Sequence, residues 1–320
     1  MISSGINYSE MLPKEELPSK KYLDIFLMGL NEKKNDIADK VAFISELMYS
    51  IKGNSLVIVS LARAGTPVGI LVKRYLELKY HVTIPHYSIS IIRGKGFDIN
   101  AIAYILNKHN NCKIQFVDGW TGKGAIGKEL TSSCKAFKDT FDIVVDDSLA
   151  VLADPSGTAT ISATREDVYL PNCCLNSTVS GLVSRTFAKP GIIGEYDFHG
   201  AKFYKEWISE DYSNYFINQV TECFNLQTHN FSNVALRDMS NCGIDEVLLI
   251  KERYSIKDIN KIKPSIGETT RVLLRRNPKC IIICDRQNPN IKHILHLAKE
   301  KNVPIKIIAD MKYECIGIID

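Results

Sequence analysis

Short apolar runs alternate with longer stretches of helical periodicity along the first half of the chain. Residues 56–60, LVIVS, are apolar at every position but the last, which is the pattern of a strand buried on both faces. Residues 67–78 then carry apolar side chains three and four apart, which predicts an amphipathic helix with Pro67 in its first turn. The same pairing of strand and helix recurs at 87–92 with 100–108 and at 113–117 with 125–137, and continues in the apolar pieces 143–145 and 151–153. Strands separated by about a dozen helical residues predict a parallel sheet with helices on both faces. Residues 155–205 break this rhythm with short mixed runs and many hydroxyls, and the stretch from 211 starts as an amphipathic helix and fades into a polar, Asn-rich linker at 226–239. A second rhythm follows, with predicted strands at 247–250, 280–284 and 305–308 and helices at 269–276 and 291–301. The pattern predicts two α/β units: a parallel-sheet domain over 1–225 with a hood at 155–205, and a small α/β/α domain over 240–320.

Composition narrows the class. The 320 residues are 45% hydrophobic and 24% charged, an ordinary globular balance. No apolar run reaches the roughly 18 residues of a membrane span, and the N-terminus lacks the apolar stretch of a signal peptide, so a soluble, cytoplasmic protein with no membrane partner is expected. Nine cysteines without a C-x-x-C pair fit reduced thiols used as small core residues and argue against a structural zinc. The net charge of +4 is uneven: residues 240–320 hold 15 Lys and Arg against 10 Asp and Glu, and the rest hold 25 against 26. The basic C-terminal quarter suits a polyanion.

Three loops carry the candidate chemistry. Residues 116–126, FVDGWTGKGAI, run from a strand through Asp118 into a glycine-rich turn ahead of a helix. Such a turn aims several backbone N–H groups at one anion, although glycines there also serve turn geometry alone. Residues 57–69, VIVSLARAGTPVG, end a strand in Arg63, Gly65 and Thr66, and residues 88–100, SISIIRGKGFDIN, carry Arg93, Lys95 and two glycines in a basic loop able to close over a charged ligand. Neither G-x-x-x-x-G-K-[ST] nor G-x-G-x-x-G is present. All three loops follow predicted strands and so belong at the carboxyl edge of one parallel sheet.

This order of loops resembles a type I phosphoribosyltransferase. The resemblance implies a parallel-sheet fold, phosphoribosyl pyrophosphate or a ribonucleotide as ligand, and Mg2+ as cofactor. It would place pyrophosphate on Ala64, Gly65 and Thr66 with Arg63 assisting, and Arg93 and Lys95 in the closing loop. Asp118 would hold the ribose hydroxyls and the metal, while Thr121, Gly122, Lys123 and Gly124 cradle the 5-phosphate. The usual pattern has two adjacent acids where this chain has Asp118 followed by Gly119, which leaves one carboxylate for magnesium. Asp146 and Asp147 offer another acidic pair, without a Thr-Gly loop close behind.

A narrower resemblance rests on SLARAGTPVG, IIRGKGFD, VDGWTGKGAI, TREDVYLPNCCLNSTVSGLVSRT and HGAKFYKE, spread over about residues 55–207. Together they resemble the bacterial StiP family, phosphoribosyltransferase-like proteins of tellurium-resistance and stress operons that are often labelled cysteine proteases. That label implies Cys174 as nucleophile with His199 as partner, since a thiolate and an imidazole are the required pair. The transferase reading instead makes 155–205 a hood over the acceptor, with Thr164, Arg165, Asp167, Asn176, Ser177, Ser180 and Arg185 as contacts.

In the C-terminal unit, KPSIGETTRVLLRRNPKCIIICDRQNP at 263–289 and KEKNVPIKII at 299–308 resemble the RNA-binding domain shared by kink-turn ribosomal proteins and Pelota. The resemblance implies structured RNA as partner, met by Gly267, Glu268, Thr270 and Arg271. Ser265 and Glu268 also fit a helix capping box. The expected function is phosphoribosyl transfer to a base or base-like acceptor, coupled to RNA. A cysteine-dependent hydrolase centred on Cys174 and a nucleotide and RNA sensor without turnover are the alternatives. Nothing in the patterning assigns an oligomeric state, and a homodimer is compatible with it.

Overall fold

The first long element begins where Ser19 accepts the backbone N–H of Tyr22 (3.3 Å), a side-chain cap that starts a 33-residue helix, α1 (Lys20–Lys52). Phe26, Leu30, Ile37, Val41, Ile44 and Met48, spaced three, four and seven apart, form its fully buried stripe. The computed structural model describes residues 7–12, 17, 19–175, 182–183, 185–227, 243–275 and 277–319. After α1 come β1 (Leu56–Leu61), α2 (Gly65–Tyr80), β2 (His86–Ile89), the hairpin β3 (Ile91–Ile92) and β4 (Gly96–Phe97), α3 (Ile99–Lys108), β5 (Lys113–Trp120), α4 (Ala125–Phe141), β6 (Leu149–Ala153), β7 (Ile161–Thr164), the single turn α5 (Asn172–Cys174) and α6 (Ser213–Thr221). The C-terminal unit holds α7 (Ile244–Arg253), β8 (Ile262–Pro264), α8 (Ile266–Arg275), β9 (Cys280–Ile283), α9 (Lys292–Glu300), β10 (Ile305–Ile307) and β11 (Cys315–Ile318).

The larger sheet has the order β2-β1-β5-β6-β7, and every pairing in it is parallel. Every residue of β1 and β6 is buried, as strands covered by helices on both faces must be. The parallel, doubly covered α/β sheet expected from the sequence is therefore present, with a second small α/β unit. Its four-stranded sheet runs β10-β9-β11-β8, parallel between β9 and β10 and antiparallel elsewhere. No helix among the described residues is long and apolar enough to cross a membrane.

Two predicted strands are not strands. Residues 143–148 lack regular structure because Val144 is 74% exposed and Asp146 turns to the buried ammonium of Lys52 (2.6 Å). Residues 247–250 lie in α7, where Val247 and Ile250, three apart, are buried while Leu248 and Leu249 face out. The strand predicted over 87–92 divides into β2 and β3. The predicted linker lies outside the described residues except for 226 and 227.

The two units share a core. The period of two along β9 sends Cys280 and Ile282 into a cluster with Val247, Ile250, Ile262 and Ile316, wholly within the C-terminal unit. It sends Ile281 and Ile283 to the other face, where they join Ile294, Leu297, Tyr169, Leu170 and Cys173 in the core that also holds α1. The rings of Tyr169 and His293 stack across this seam with centroids 4.0 Å apart. Asp167, buried, accepts the backbone N–H of Ile266 at the start of α8 (2.9 Å) and that of Glu314 (3.0 Å), and so ties the units together.

Candidate ligand cleft

The carboxyl ends of β1 and β5 open into a cleft of two adjoining parts, about 220 and 230 Å3, which share Ala64, Asp118, Ile126 and Arg271 at their waist. One part runs over Gly122, Lys123 and Gly124 to the first turn of α4, and the other over Arg63 to Tyr8, Arg185 and Thr186. The loop ahead of α4 turns at Gly124, whose φ of +74° disfavours a side chain, and α4 starts without a side-chain cap. The residues that carry its leading N–H groups, Ala125, Ile126 and Gly127, line the cleft. An uncapped helix start of this length is a favourable seat for an anion. Gly65 lets the first loop close onto β5, since a Cβ there would lie 2.3 Å from the carbonyl oxygen of Val117.

Cations dominate the lining: Arg63, Arg93, Lys123, Arg185, Lys263 and Arg271 face two acids, Asp118 and Glu268. Burial pulls the Lys123 ammonium down to about 8, and the neighbouring charges of Lys263 and Arg93 pull the same way. Glu268 and Asp258 pull the other way without cancelling the shift. Asp118 accepts the N–H of Gly119 (2.7 Å), yet desolvation raises its carboxyl to about 7 against the opposing pull of that bond and of Arg271. Burial would raise Glu268 too, but Arg271, Lys263 and Arg93 bring it below the ordinary carboxylate range. Among the described residues no three His, Cys, Asp or Glu side chains gather to hold a metal.

The structure therefore brings together Arg63, Ala64, Arg93, Asp118, Thr121, Gly122, Lys123, Gly124 and Arg185, together with Glu268 and Arg271 from the C-terminal unit. Several other expected site residues lie elsewhere or are committed. The Thr121 hydroxyl donates to Asp154 and accepts from Ser156 (2.8 Å). Arg165 pairs with the same buried Asp154, Thr164 caps the N–H of Glu166 (3.1 Å), and Asp167 holds the seam, so none of the three lines the cleft. Thr66 meets Ser88 (2.8 Å) outside the lining, and Lys95 pairs with Glu10 (2.9 Å). Gly94 and Gly96 of the same loop donate to the Glu129 carboxylate (2.8 and 3.0 Å), which fastens the loop to α4. Asn176, Ser177 and Ser180 lie outside the described residues. Asp146 and Asp147 precede β6, at the end of the sheet opposite the cleft, where Asp147 accepts from Thr131 (2.5 Å).

The proposed thiol and imidazole are apart. Cys174 is 1% exposed, with its sulfur 3.6 Å from the Tyr169 hydroxyl and 4.0 Å from the sulfur of Cys173. Bonds from Cys173, Tyr169 and Tyr22 hold its thiol low while burial pushes Cys173 up. His199 instead places Nδ1 2.6 Å from the Ser90 hydroxyl, in a separate pocket lined by Tyr87, Tyr104 and Phe198.

Two residues of the motif expected to meet RNA face inward. The Cα face of Gly267 abuts Trp120, where a Cβ would come within 2.4 Å of the ring. Thr270 is buried against His293 (2.8 Å). Sequence reasoning missed Trp120, Gly127, Tyr8 and Lys263 as cleft residues. The alternation along β5, which puts Trp120 on the same face as Asp118, was the available signal for the first; Lys263 had none.

The fold and cleft define a class: a parallel α/β protein with a cation-lined cleft at the carboxyl edge of its sheet, capped by a second α/β unit. The chain belongs to the StiP family. The family described as tellurite-like stress resistance cysteine protease StiP matches residues 1–221, and the PELOTA RNA binding domain matches residues 241–320. The cysteine protease StiP of Acinetobacter baylyi is 31% identical over 338 residues, spanning 100% of this chain and 86% of that protein. Among solved structures, a xanthine-guanine-hypoxanthine phosphoribosyltransferase of Helicobacter pylori is 16% identical with a TM-score of 0.25, over 38% of this chain and 73% of its own. A hypothetical protein from Neisseria gonorrhoeae with bound ppGpp is 13% identical with a TM-score of 0.25, over 37% and 67%. Overlaps that small leave the reading of the cleft to its own geometry.

Proposed function

We propose that the cleft binds a ribose carrying phosphate groups at both ends, as in phosphoribosyl pyrophosphate, and that the chain acts as a phosphoribosyltransferase on a base or base-like acceptor. The observation that carries this reading is the uncapped start of α4 beside a carboxylate, Asp118, in a lining of six cations. The N–H groups of Gly124 to Gly127 seat the 5-phosphate, and Arg63 and Arg185 take the diphosphate at the other end. Asp118, at the waist, accepts the ribose hydroxyls. In such transfers positive charge develops on the ribose as pyrophosphate leaves, so the residues orient both ends and stabilise the parting anion without covalent help. Magnesium fits as a companion of the diphosphate: it takes one or two carboxylates and otherwise phosphate and water oxygens, and Asp118 is the carboxylate at hand. The C-terminal unit supplies structured RNA as a further partner.

The test is calorimetric titration of the full chain with phosphoribosyl pyrophosphate, ribose 5-phosphate and inorganic phosphate. Binding is expected in that order of strength, and absence of heat with the first two at millimolar concentration refutes the reading. Binding without pyrophosphate release across a panel of bases makes the chain a sensor. Hydrolysis at Cys174 is the second reading, favoured by its lowered thiol and by the StiP description. Loss of a peptidase activity in Cys174→Ser would establish it.

A further inference from the structure

The C-terminal unit sends Lys263, Glu268 and Arg271 into the cleft. Among the described residues of that unit, Arg271 alone lies at the waist shared by both parts. Its guanidinium lies over the Trp120 ring, 5.8 Å from the centroid, and donates to Glu268 (2.9 Å). It is close enough to Asp118 to oppose the rise in that carboxyl, as Lys263 is close enough to Lys123 to depress its ammonium. Polar contacts fix these positions. Tyr313 donates to the carbonyl of Gly122 (2.7 Å), Lys123 donates to the carbonyls of Ile259 (2.6 Å) and Ile262 (3.2 Å), and Arg93 donates to Asn260 (3.0 Å). The loop expected to cradle the 5-phosphate is thus roofed by the C-terminal unit. The Gly267 backbone is sealed against Trp120, and the apolar core runs through the seam, so separating the units would expose Ile281, Ile283, Ile294 and Leu297 to water.

We propose that the ligand site is built from both units, with Arg271 and Lys263 binding the phosphates of the cleft ligand, and that the Gly267–Arg271 motif serves this site instead of RNA. The proposal rests on the ribose-phosphate reading above. It follows from placement: a ligand reaching from the α4 turn to Arg63 passes the waist, where Asp118 forms one wall and the Arg271 guanidinium the other. A planar, permanently charged fork there suits phosphate oxygens. Glu268 holds that fork in place and, being an acid, opposes the ligand's own charge.

The experiment uses the full chain and two probes, phosphoribosyl pyrophosphate by calorimetry and a labelled RNA hairpin with an internal loop by fluorescence anisotropy. Arg271→Ala is expected to weaken phosphoribosyl pyrophosphate about ten- to a hundred-fold, the loss of a charge-assisted contact, and to leave RNA within about two-fold. Arg271→Lys should restore part of the affinity. Glu268→Gln, which keeps an oxygen to accept from the guanidinium but removes the charge that opposes the ligand, should raise phosphoribosyl pyrophosphate affinity, whereas a purely structural role for the Arg271–Glu268 ion pair predicts a fall in both variants. The chain has two tryptophans, so Trp207→Phe leaves Trp120 as the sole tryptophan, whose selectively excited emission reports whether the seam is closed in each variant. Unchanged phosphoribosyl pyrophosphate affinity in Arg271→Ala, or a greater loss for RNA, overturns the proposal while the ribose-phosphate reading stands. Absence of phosphoribosyl pyrophosphate binding to the wild-type chain removes both.

Discussion

Gly127 allows the anion seat to be tested without disturbing the fold. It is the third residue of α4 and lines the cleft, and a Cβ built on it meets no atom within 4 Å. Gly127→Asp therefore inserts a carboxylate into open space at a helix N-terminus. An acid in the first turn adds about 0.3–1 kcal/mol through the helix dipole. Replacing glycine inside a helix adds a few tenths of a kcal/mol. The variant should melt no lower than wild type, and about 1–3 °C higher if the gains add. A phosphate bound at this turn would lie roughly 5 Å from the new charge, which at an effective dielectric constant of about 20 is a repulsion near 3 kcal/mol. Affinity should fall about a hundred-fold. Gly127→Ala is the neutral control, expected to stabilise by up to about 1 kcal/mol and to keep binding. Thermal melts and calorimetry with ribose 5-phosphate read both quantities. A Gly127→Asp chain that melts like wild type and still binds ribose 5-phosphate at full strength refutes the seat.

Affinity for ribose 5-phosphate should follow a bell in pH, weakening below about 7 as Asp118 gains its proton and above about 8 as Lys123 loses its own; Asp118→Asn should shift the acid limb down towards about 6, where the ligand's phosphate itself takes up a proton, and leave the basic limb in place. Because the folded state holds the Asp118 proton up to about 7 and the unfolded chain only to about 4, the free protein should lose stability as pH rises through that window, and a gain that Asp118→Asn leaves untouched contradicts this. Asp167→Ala should lower stability by about 2–3 kcal/mol, since the buried N–H groups of Ile266 and Glu314 lose their acceptor, and a melting point unchanged from wild type contradicts its place in the seam. Iodoacetamide should label half-buried Cys112, Cys223 and Cys284 well before buried Cys174, and the reverse order favours the hydrolase.

What could be read from the residues depended on whether neighbours in sequence or neighbours in space decide the outcome. β1 was legible because an uninterrupted apolar run ahead of a glycine-rich turn has few other uses, and β5 because its apolar Ile114, Phe116 and Val117, broken only by Gln115, run into a turn of the same kind. The run at 247–250 was ambiguous: four apolar residues in a row fit a buried strand, and only the pairing of Val247 with Ile250 against exposed Leu248 and Leu249 reveals a helix. The cleft's own loops were legible through Arg63, Arg93, Asp118 and Lys123, which carry their chemistry in local sequence. The internal partners of Asp167, Arg165 and Thr270 were not legible, because a polar residue that ties buried groups together looks, in sequence, like one that greets a ligand. That Arg271 faces Asp118 depends on the docking of two units, which no local pattern encodes.

The continuous core has a consequence for how the chain is made. Tyr169, Leu170 and Cys173 leave the ribosome long before Ile294 and Leu297, which share their apolar core in the finished fold. Until the last helix emerges, the nascent protein carries an open apolar face beside a completed sheet, a state that invites aggregation and chaperone capture. A message truncated within the C-terminal quarter would leave its product in that condition permanently. The core of the first unit is thus closed only by residues of the second.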